Sequence, residues 1–266
     1  MNGGRGDRGT GGPTGEAPIV TAREGGVFTI TLNRPEAKNA ISIRMIAELK
    51  QAIETADLAA DVKIVALRGA GKDFCAGLDL NELLESADLT PEQNEQRAWD
   101  LGELFVQLRA LPKVVVAVVE GRCLAGGCGL ATACDLVLAK AGAQFGYPEI
   151  SRGFVPAMVM TMLRRIVGEK VAFDLAATGR VVDAAEAERL GLVSRVLPAG
   201  TFEEEVKQFL TYLASLSASA LALTKQQFYQ LDGLSLVDGI KLGAKVNAVA
   251  RATPDFRRAI SAFLKK

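Results

Sequence analysis

Two short segments, Phe74-Cys75-Ala76-Gly77-Leu78-Asp79-Leu80 and Cys123-Leu124-Ala125-Gly126-Gly127-Cys128-Gly129-Leu130, read as strands turning into helices through small residues. Small residues let a ligand come close to the backbone. A helix N-terminus adds unpaired N–H groups and the positive end of its dipole. Two such turns can form an oxyanion hole, where each donor contributes about 3–4 kcal/mol of transition-state stabilisation. The same residues also suit tight packing of strand on helix, and spacing alone leaves both readings open. The chain contains no histidine. That removes the commonest general base and any Ser-His or Cys-His pair. Chemistry falls to backbone dipoles, carboxylates or a cofactor.

The elements that must position these turns follow from pattern. Val20–Ala22 and Val27–Leu32 read as strands joined at Glu24-Gly25-Gly26. Ile46, Leu49, Ile53 and Ala56 recur at helical spacing over about Ser42–Thr55. Val62–Arg68 and Lys113–Glu120 are apolar runs suited to strands covered on both faces. Thr90-Pro91-Glu92-Gln93 is a capping-box start for a helix to about Arg109. A short helix is expected over Ala125–Ala133 and a strand over Leu136–Ala139, with helix again from Met158. Asp183 and Glu186 predict a capped helix stopped by Gly191, and Leu192–Leu197 a last strand. Thr201 and Glu204 predict another cap, before a helix with Val206, Phe209, Leu210 and Leu213 inward. Strand and helix alternate to about residue 197, and helix alone follows. The expected organisation is a disordered Gly-rich tail over 1–17, an α/β core over 18–197 and a helical subdomain over 198–266.

Composition narrows the partners. Lys+Arg and Asp+Glu both number 31, so nothing argues for nucleic acid or an anionic membrane surface. The longest apolar run, Val114–Val119, is far too short to cross a bilayer. Cys75, Cys123, Cys128 and Cys134 lie in apolar segments, as reduced thiols of a cytoplasmic protein would. Without histidine their spacing argues against a metal. Gly69-Ala70-Gly71-Lys72 is not a phosphate loop, because Ala66 and Asp73 stand where that pattern needs Gly and Ser/Thr.

Three further stretches, Thr31–Ser42 (TLNRPEAKNAIS), Phe145–Pro156 (FGYPEISRGFVP) and Ala177–Val196 (ATGRVVDAAEAERLGLVSRV), join the first two in order. Together the five resemble the enoyl-CoA hydratase/isomerase (crotonase) family over about residues 18–264. The resemblance implies a crotonase-like spiral of ββα units whose C-terminal helical subdomain mediates trimerisation, often as a dimer of trimers. It implies an acyl-CoA substrate and no cofactor, coenzyme A being part of the substrate. The oxyanion donors would be the N–H groups of Leu78 and Gly126, and the catalytic acid/base Glu149. Ala37, Lys38, Ala40, Ala76 and Leu80 would flank the coenzyme, with Gly127 and Gly129 as further substrate-binding residues. Hydratases of this family typically carry a second glutamate, whose position here is Gly129. Hydration of a 2-enoyl-CoA is favoured. Double-bond isomerisation by Glu149 alone, or coenzyme A binding without turnover, stays open; RNA binding, known in one branch, is disfavoured by zero net charge. A wall of Phe154, Val155 and Met158 would desolvate Glu149 and raise its pKa.

Overall fold

The structure, a computed structural model, describes residues 17–265. The segment expected to be disordered lies, apart from Ala17, outside the described residues. In chain order the elements are β1 (Ile19–Glu24), β2 (Val27–Leu32), α1 (Ile43–Leu58), β3 (Ile64–Gly69), α2 (Leu80–Glu85), α3 (Pro91–Ala110), β4 (Val114–Val119), β5 (Arg122–Leu124), α4 (Gly126–Ala133) and β6 (Leu136–Lys140). β7 (Gln144–Gly146), a 3-10 turn over Pro148–Arg152, α5 (Ala157–Val167), α6 (Glu169–Thr178), β8 (Val181–Asp183), α7 (Ala184–Leu190) and β9 (Arg195–Leu197) come next. Four helices close the chain: α8 (Phe202–Ser215), α9 (Ala218–Gln230), α10 (Leu236–Ala252) and α11 (Pro254–Phe263).

The main sheet has six strands in the order β1-β2-β3-β4-β6-β9, parallel except for the β1–β2 hairpin. β4 is buried at every position. Its side chains alternate between two cores, as the period of a strand requires. Val115, Ala117 and Val119 face the α1 and α3 side; Val114, Val116 and Val118 face α8. A strand so covered must be apolar throughout, which is what its valine run supplies. A second sheet, β5-β7-β8, lies apart from the first. It carries the strand that leads directly into α4.

Three lysines close helix C-termini, where carbonyls lack intrahelical partners. Lys63 Nζ donates to Ala214 O (2.9 Å) and Leu216 O (3.2 Å) at the end of α8. Lys113 Nζ reaches Ala56 O and Ala59 O at the end of α1. Lys225 Nζ, buried, donates to Leu108 O (2.8 Å) and Lys113 O (2.9 Å) beyond α3 and pairs with Asp135 at 2.8 Å. Asp135 also accepts from Tyr229 Oη and Val115 N. Through this network α9 is fixed to the core.

The expected caps form at Thr90, as a full capping box, and at Asp183. The cap expected at Thr201 does not form. Its backbone (φ −117°, ψ 7°) is not extended, and its hydroxyl donates to the Glu205 carboxylate. Phe209 is half-buried and packs against the same core as Val206, Leu210 and Leu213, with the Arg195 guanidinium 4.4 Å from its ring centre.

Candidate active site

Three segments lie side by side and build the site. Residues 38–41 pair with 76–79: Ala76 N donates to Lys38 O (3.0 Å), Ile41 N to Gly77 O (2.8 Å) and Asp79 N to Ile41 O (2.9 Å). On the other flank Cys75 N donates to Arg122 O (3.0 Å) and Leu124 N to Cys75 O (2.9 Å). Leu78 and Gly126 therefore sit on neighbouring segments. A Cβ placed on Gly126 would lie 3.9 Å from Leu78 Cγ. Neither the Leu78 nor the Gly126 N–H donates to a backbone carbonyl among the described residues. Free, adjacent N–H groups with one at a helix start are a carbonyl- or anion-binding arrangement.

The local backbone is unusual at this point. Gly77 has φ +110°, and a Cβ there would come within 2.8 Å of Ala125 Cβ. Ala125 itself has φ 51° and ψ −129°, a region that a residue with a Cβ seldom adopts. Such strain, about 1–3 kcal/mol, persists where the surroundings fix it, and it concentrates at functional turns. Ala125 N donates to Gly146 O (2.8 Å), which anchors the turn to the second sheet. Gly127 presses on Cys75: a Cβ would fall 2.4 Å from Cys75 O. Its bareness lets α4 approach the first loop.

An ion pair ties the two loops together. Arg122 Nη2 and Nε donate to both oxygens of Asp73 (2.8 and 2.9 Å), and Arg122 N donates to Asp73 Oδ1 (2.9 Å). These bonds, led by the guanidinium, hold the Asp73 carboxyl below its ordinary pKa. Asn39 is fully buried. It accepts from Arg34 N and donates to Ala70 O and Asp73 O.

Glu149 stands on the 3-10 turn after β7 and is half-buried. Its Oε2 is buried without a hydrogen-bond partner. Burial raises its pKa above the ordinary value, against the opposing pull of its own amide and of Arg152. An unpaired, desolvated carboxyl is chemically able to take up and return a proton. The expected wall over it is only partly present: Phe154 and Val155 are exposed and Met158 is half-buried.

Gly129, one turn into α4, faces hydrocarbon. A Cβ there would be 2.4 Å from Val159 Cγ1 and 2.9 Å from Phe105 Cζ. Both side chains are 4% exposed. α3 and α5 fill the direction in which a residue at 129 would point.

A family model described as enoyl-CoA hydratase/isomerase matches residues 22–266. The chain belongs to the enoyl-CoA hydratase/isomerase family. It is 42% identical to a Thermus thermophilus protein named "Putative enoyl-CoA hydratase", over 93% of this chain and 98% of that one. It is 34% identical to the 2,3-dehydroadipyl-CoA hydratase of Escherichia coli, over 93% and 96%. An enoyl-CoA hydratase structure from Mycobacterium smegmatis superposes with a TM-score of 0.90 at 33% identity, over 94% and 97%. The fold is that of the crotonases, and the chain is an enzyme of this hydratase/isomerase class.

For a family enzyme, the other residues named from the motifs fall as follows. Ala37 and Ala40 are half-buried, Lys38 is exposed in the left-handed region (φ 54°), Ala76 is half-buried and Leu80 is exposed at the start of α2. They share the face made by residues 37–41 and 76–80. Sequence reasoning missed Asn39, Arg34, Asp73 and Arg122, which hold the loops, and Phe105 and Val159, which fill the space beyond Gly129. Asn39 and Arg34 lie inside the first motif, so their polarity there was a usable signal. Phe105 and Val159 gave none, being apolar residues far apart in the chain. No group of three or more acidic, Cys or His side chains poised for a metal occurs among the described residues, and no helix described is long and apolar enough to cross a membrane.

Proposed function

We propose that this enzyme hydrates a 2-enoyl-CoA, with the thioester oxygen held by Leu78 N–H and Gly126 N–H and with Glu149 as its acid/base. The observation that carries the reading is the unpartnered, buried Oε2 of Glu149, on a carboxyl with a raised pKa. The hydratase names of the relatives support water addition over other family reactions. Glu149 carboxylate takes a proton from water as the water oxygen bonds to the β-carbon. The π electrons move to the thioester oxygen, whose charge the two N–H groups stabilise. The enolate then collapses, and the carboxyl returns the proton to the α-carbon. Water has been added and Glu149 is again a carboxylate. No cofactor enters beyond the coenzyme A of the substrate, whose seat is Ala37, Lys38, Ala40, Ala76 and Leu80; Gly127 and Gly129, packed on Cys75 and on Val159 and Phe105, lie behind the site rather than against the substrate.

Gly129 favours a second reading. Position 129 supplies no carboxylate, and Val159 and Phe105 fill its forward space. Glu149 alone could instead carry a proton from the α-carbon of a 3-enoyl-CoA to its γ-carbon, shifting the double bond. Assays of 2-enoyl- and 3-enoyl-CoA substrates for hydrated and shifted products separate the two. Under either reading Glu149→Gln lowers kcat at least a hundredfold with coenzyme A affinity retained. Near-wild-type turnover in that variant refutes both.

The same reading includes a homotrimer or dimer of trimers in a reducing, cytoplasmic setting. None of the residues of α10 or α11 is buried, and Leu236, Val237, Ile240 and Phe263 stand exposed on them, which supports assembly through these helices. Four buried free thiols support the setting. Light scattering after gel filtration tests the assembly.

A further inference from the structure

Arg34 lies in the first motif, and its guanidinium spans two loops. Its Nη1 donates to Ala40 O (2.8 Å), in the segment assigned to the coenzyme. Its Nη2 donates to Asp79 Oδ2 (2.9 Å), one residue beyond the Leu78 donor. The other oxygen of Asp79, Oδ1, accepts from Asn81 N (3.0 Å) and so caps α2. The Arg34 backbone is itself fixed, with its N–H donating to Asn39 Oδ1 (2.9 Å) and its carbonyl accepting from Asn39 N (2.8 Å). Leu78 is thus gripped at both sides. Gly77 O and Asp79 N bond to Ile41, and the Asp79 side chain bonds to Arg34. A planar fork that satisfies a carbonyl and a carboxylate at once sets direction as well as distance, which a lysine ammonium does not.

We propose that Arg34 and Asp79 are positioning residues that lock the direction of the Leu78 N–H to the coenzyme-side loop, so that seating the coenzyme aims the donor at the thioester oxygen. Neither side chain touches the reacting atoms. The inference rests on the reading that the thioester carbonyl lies between Leu78 and Gly126. Its consequence is that losing the pair weakens polarisation of the carbonyl while leaving the coenzyme seat in place. That separates it from a role in folding the loop or in binding alone.

The test compares the wild type with Arg34→Lys and Asp79→Asn. The Asn variant keeps the oxygen that caps α2 and carries the test should the Lys variant not fold. The readouts are kcat, the dissociation constant of free coenzyme A, and the carbonyl stretch of bound butyryl-CoA labelled with carbon-13 at C1, measured by difference infrared spectroscopy. The expected result is a lowered carbonyl frequency in the wild type. In the variants at least half of that lowering is lost, kcat falls ten- to a hundredfold, and coenzyme A affinity stays within threefold. Variants that keep both the wild-type frequency and kcat overturn this inference and leave the oxyanion reading standing. A parallel loss of coenzyme A affinity also overturns it, because the pair then only folds the loop. A wild type with no lowered frequency overturns both the inference and the oxyanion reading.

Discussion

Replacing Gly129 by alanine sets two effects against each other. Alanine is the better helix former by about 1 kcal/mol. Its methyl, however, would sit 2.4 Å from Val159 Cγ1 and 2.9 Å from Phe105 Cζ, whereas carbon atoms in contact rest about 3.5–4.0 Å apart. Both neighbours are buried, and a close-packed interior leaves them little room to retreat. Overpacking of this kind costs about 1–3 kcal/mol, so the steric effect wins. We expect Gly129→Ala to lose up to about 2 kcal/mol net and up to about 8 °C in Tm. Val159→Ala alone should lose about 2 kcal/mol as its two methyl groups leave a gap. In the double variant the new methyl occupies part of that gap. The combined loss should fall short of the sum by at least about 1 kcal/mol, a coupling expected only of residues in contact. The Phe105 contact persists, so recovery is incomplete. Urea unfolding of the four proteins measures the cycle. Additive losses, or a Gly129→Ala variant more stable than the wild type, would refute the reasoning that Val159 holds this volume. The cycle also governs how a second acid is restored. Gly129→Glu should raise water addition to a 2-enoyl-CoA only when combined with Val159→Ala.

Lys225→Met strands the part-buried Asp135 carboxylate without its cation and should cost up to about 3 kcal/mol in urea unfolding; a loss under about 1 kcal/mol would show that the pair does not hold α9. Because the folded pKa of Glu149 is raised above its ordinary 4.5, stability falls as pH rises through the folded value. Glu149→Gln should therefore unfold at a higher temperature than the wild type at neutral pH, with the gap closing below pH 4.5; an equal or lower Tm at pH 7 contradicts the desolvation. Asp73 works in the opposite sense, its folded pKa being lowered from 3.8. Its contribution is present above that value and lost as pH falls through the folded one. Asp73→Asn should be less stable than the wild type at pH 7, and the difference should shrink on acidification below 3.8.

Elements signalled by a contiguous run or a local capping pattern were legible in the chain. β4 is an unbroken apolar run and β3 opens on one over residues 64–67, and Thr90 and Asp183 carry local capping patterns that need nothing from elsewhere. Thr201 shows the limit. The residue types are right for a cap, but its dihedrals are those of a turn leaving Pro198, and the hydroxyl finds Glu205 instead. At the site, the turns holding Leu78, Gly126 and Glu149 were readable because each is a contiguous motif. The missing carboxylate at Gly129 was visible as well. What replaced it was not, since Val159 and Phe105 meet only after α3 and α5 pack on α4. The clamps made by Arg34, Asp73 and Arg122 were hidden for the same reason. Each joins residues about fifty positions apart, at separations of 45 and 49.

The Leu78 segment bonds on one flank to residues 38–41, and through Cys75 it runs parallel to Cys123 on the strand that becomes α4. The two amides thus ride on a single ladder, and motion that loosens the surrounding helices carries them in step. Their mutual spacing is buffered against warming. Glu149 stands on a separate 3-10 turn, and its Oε2 has no hydrogen-bond partner to hold it. As temperature rises, loss of turnover should begin with a wandering carboxyl, while the thioester is still gripped.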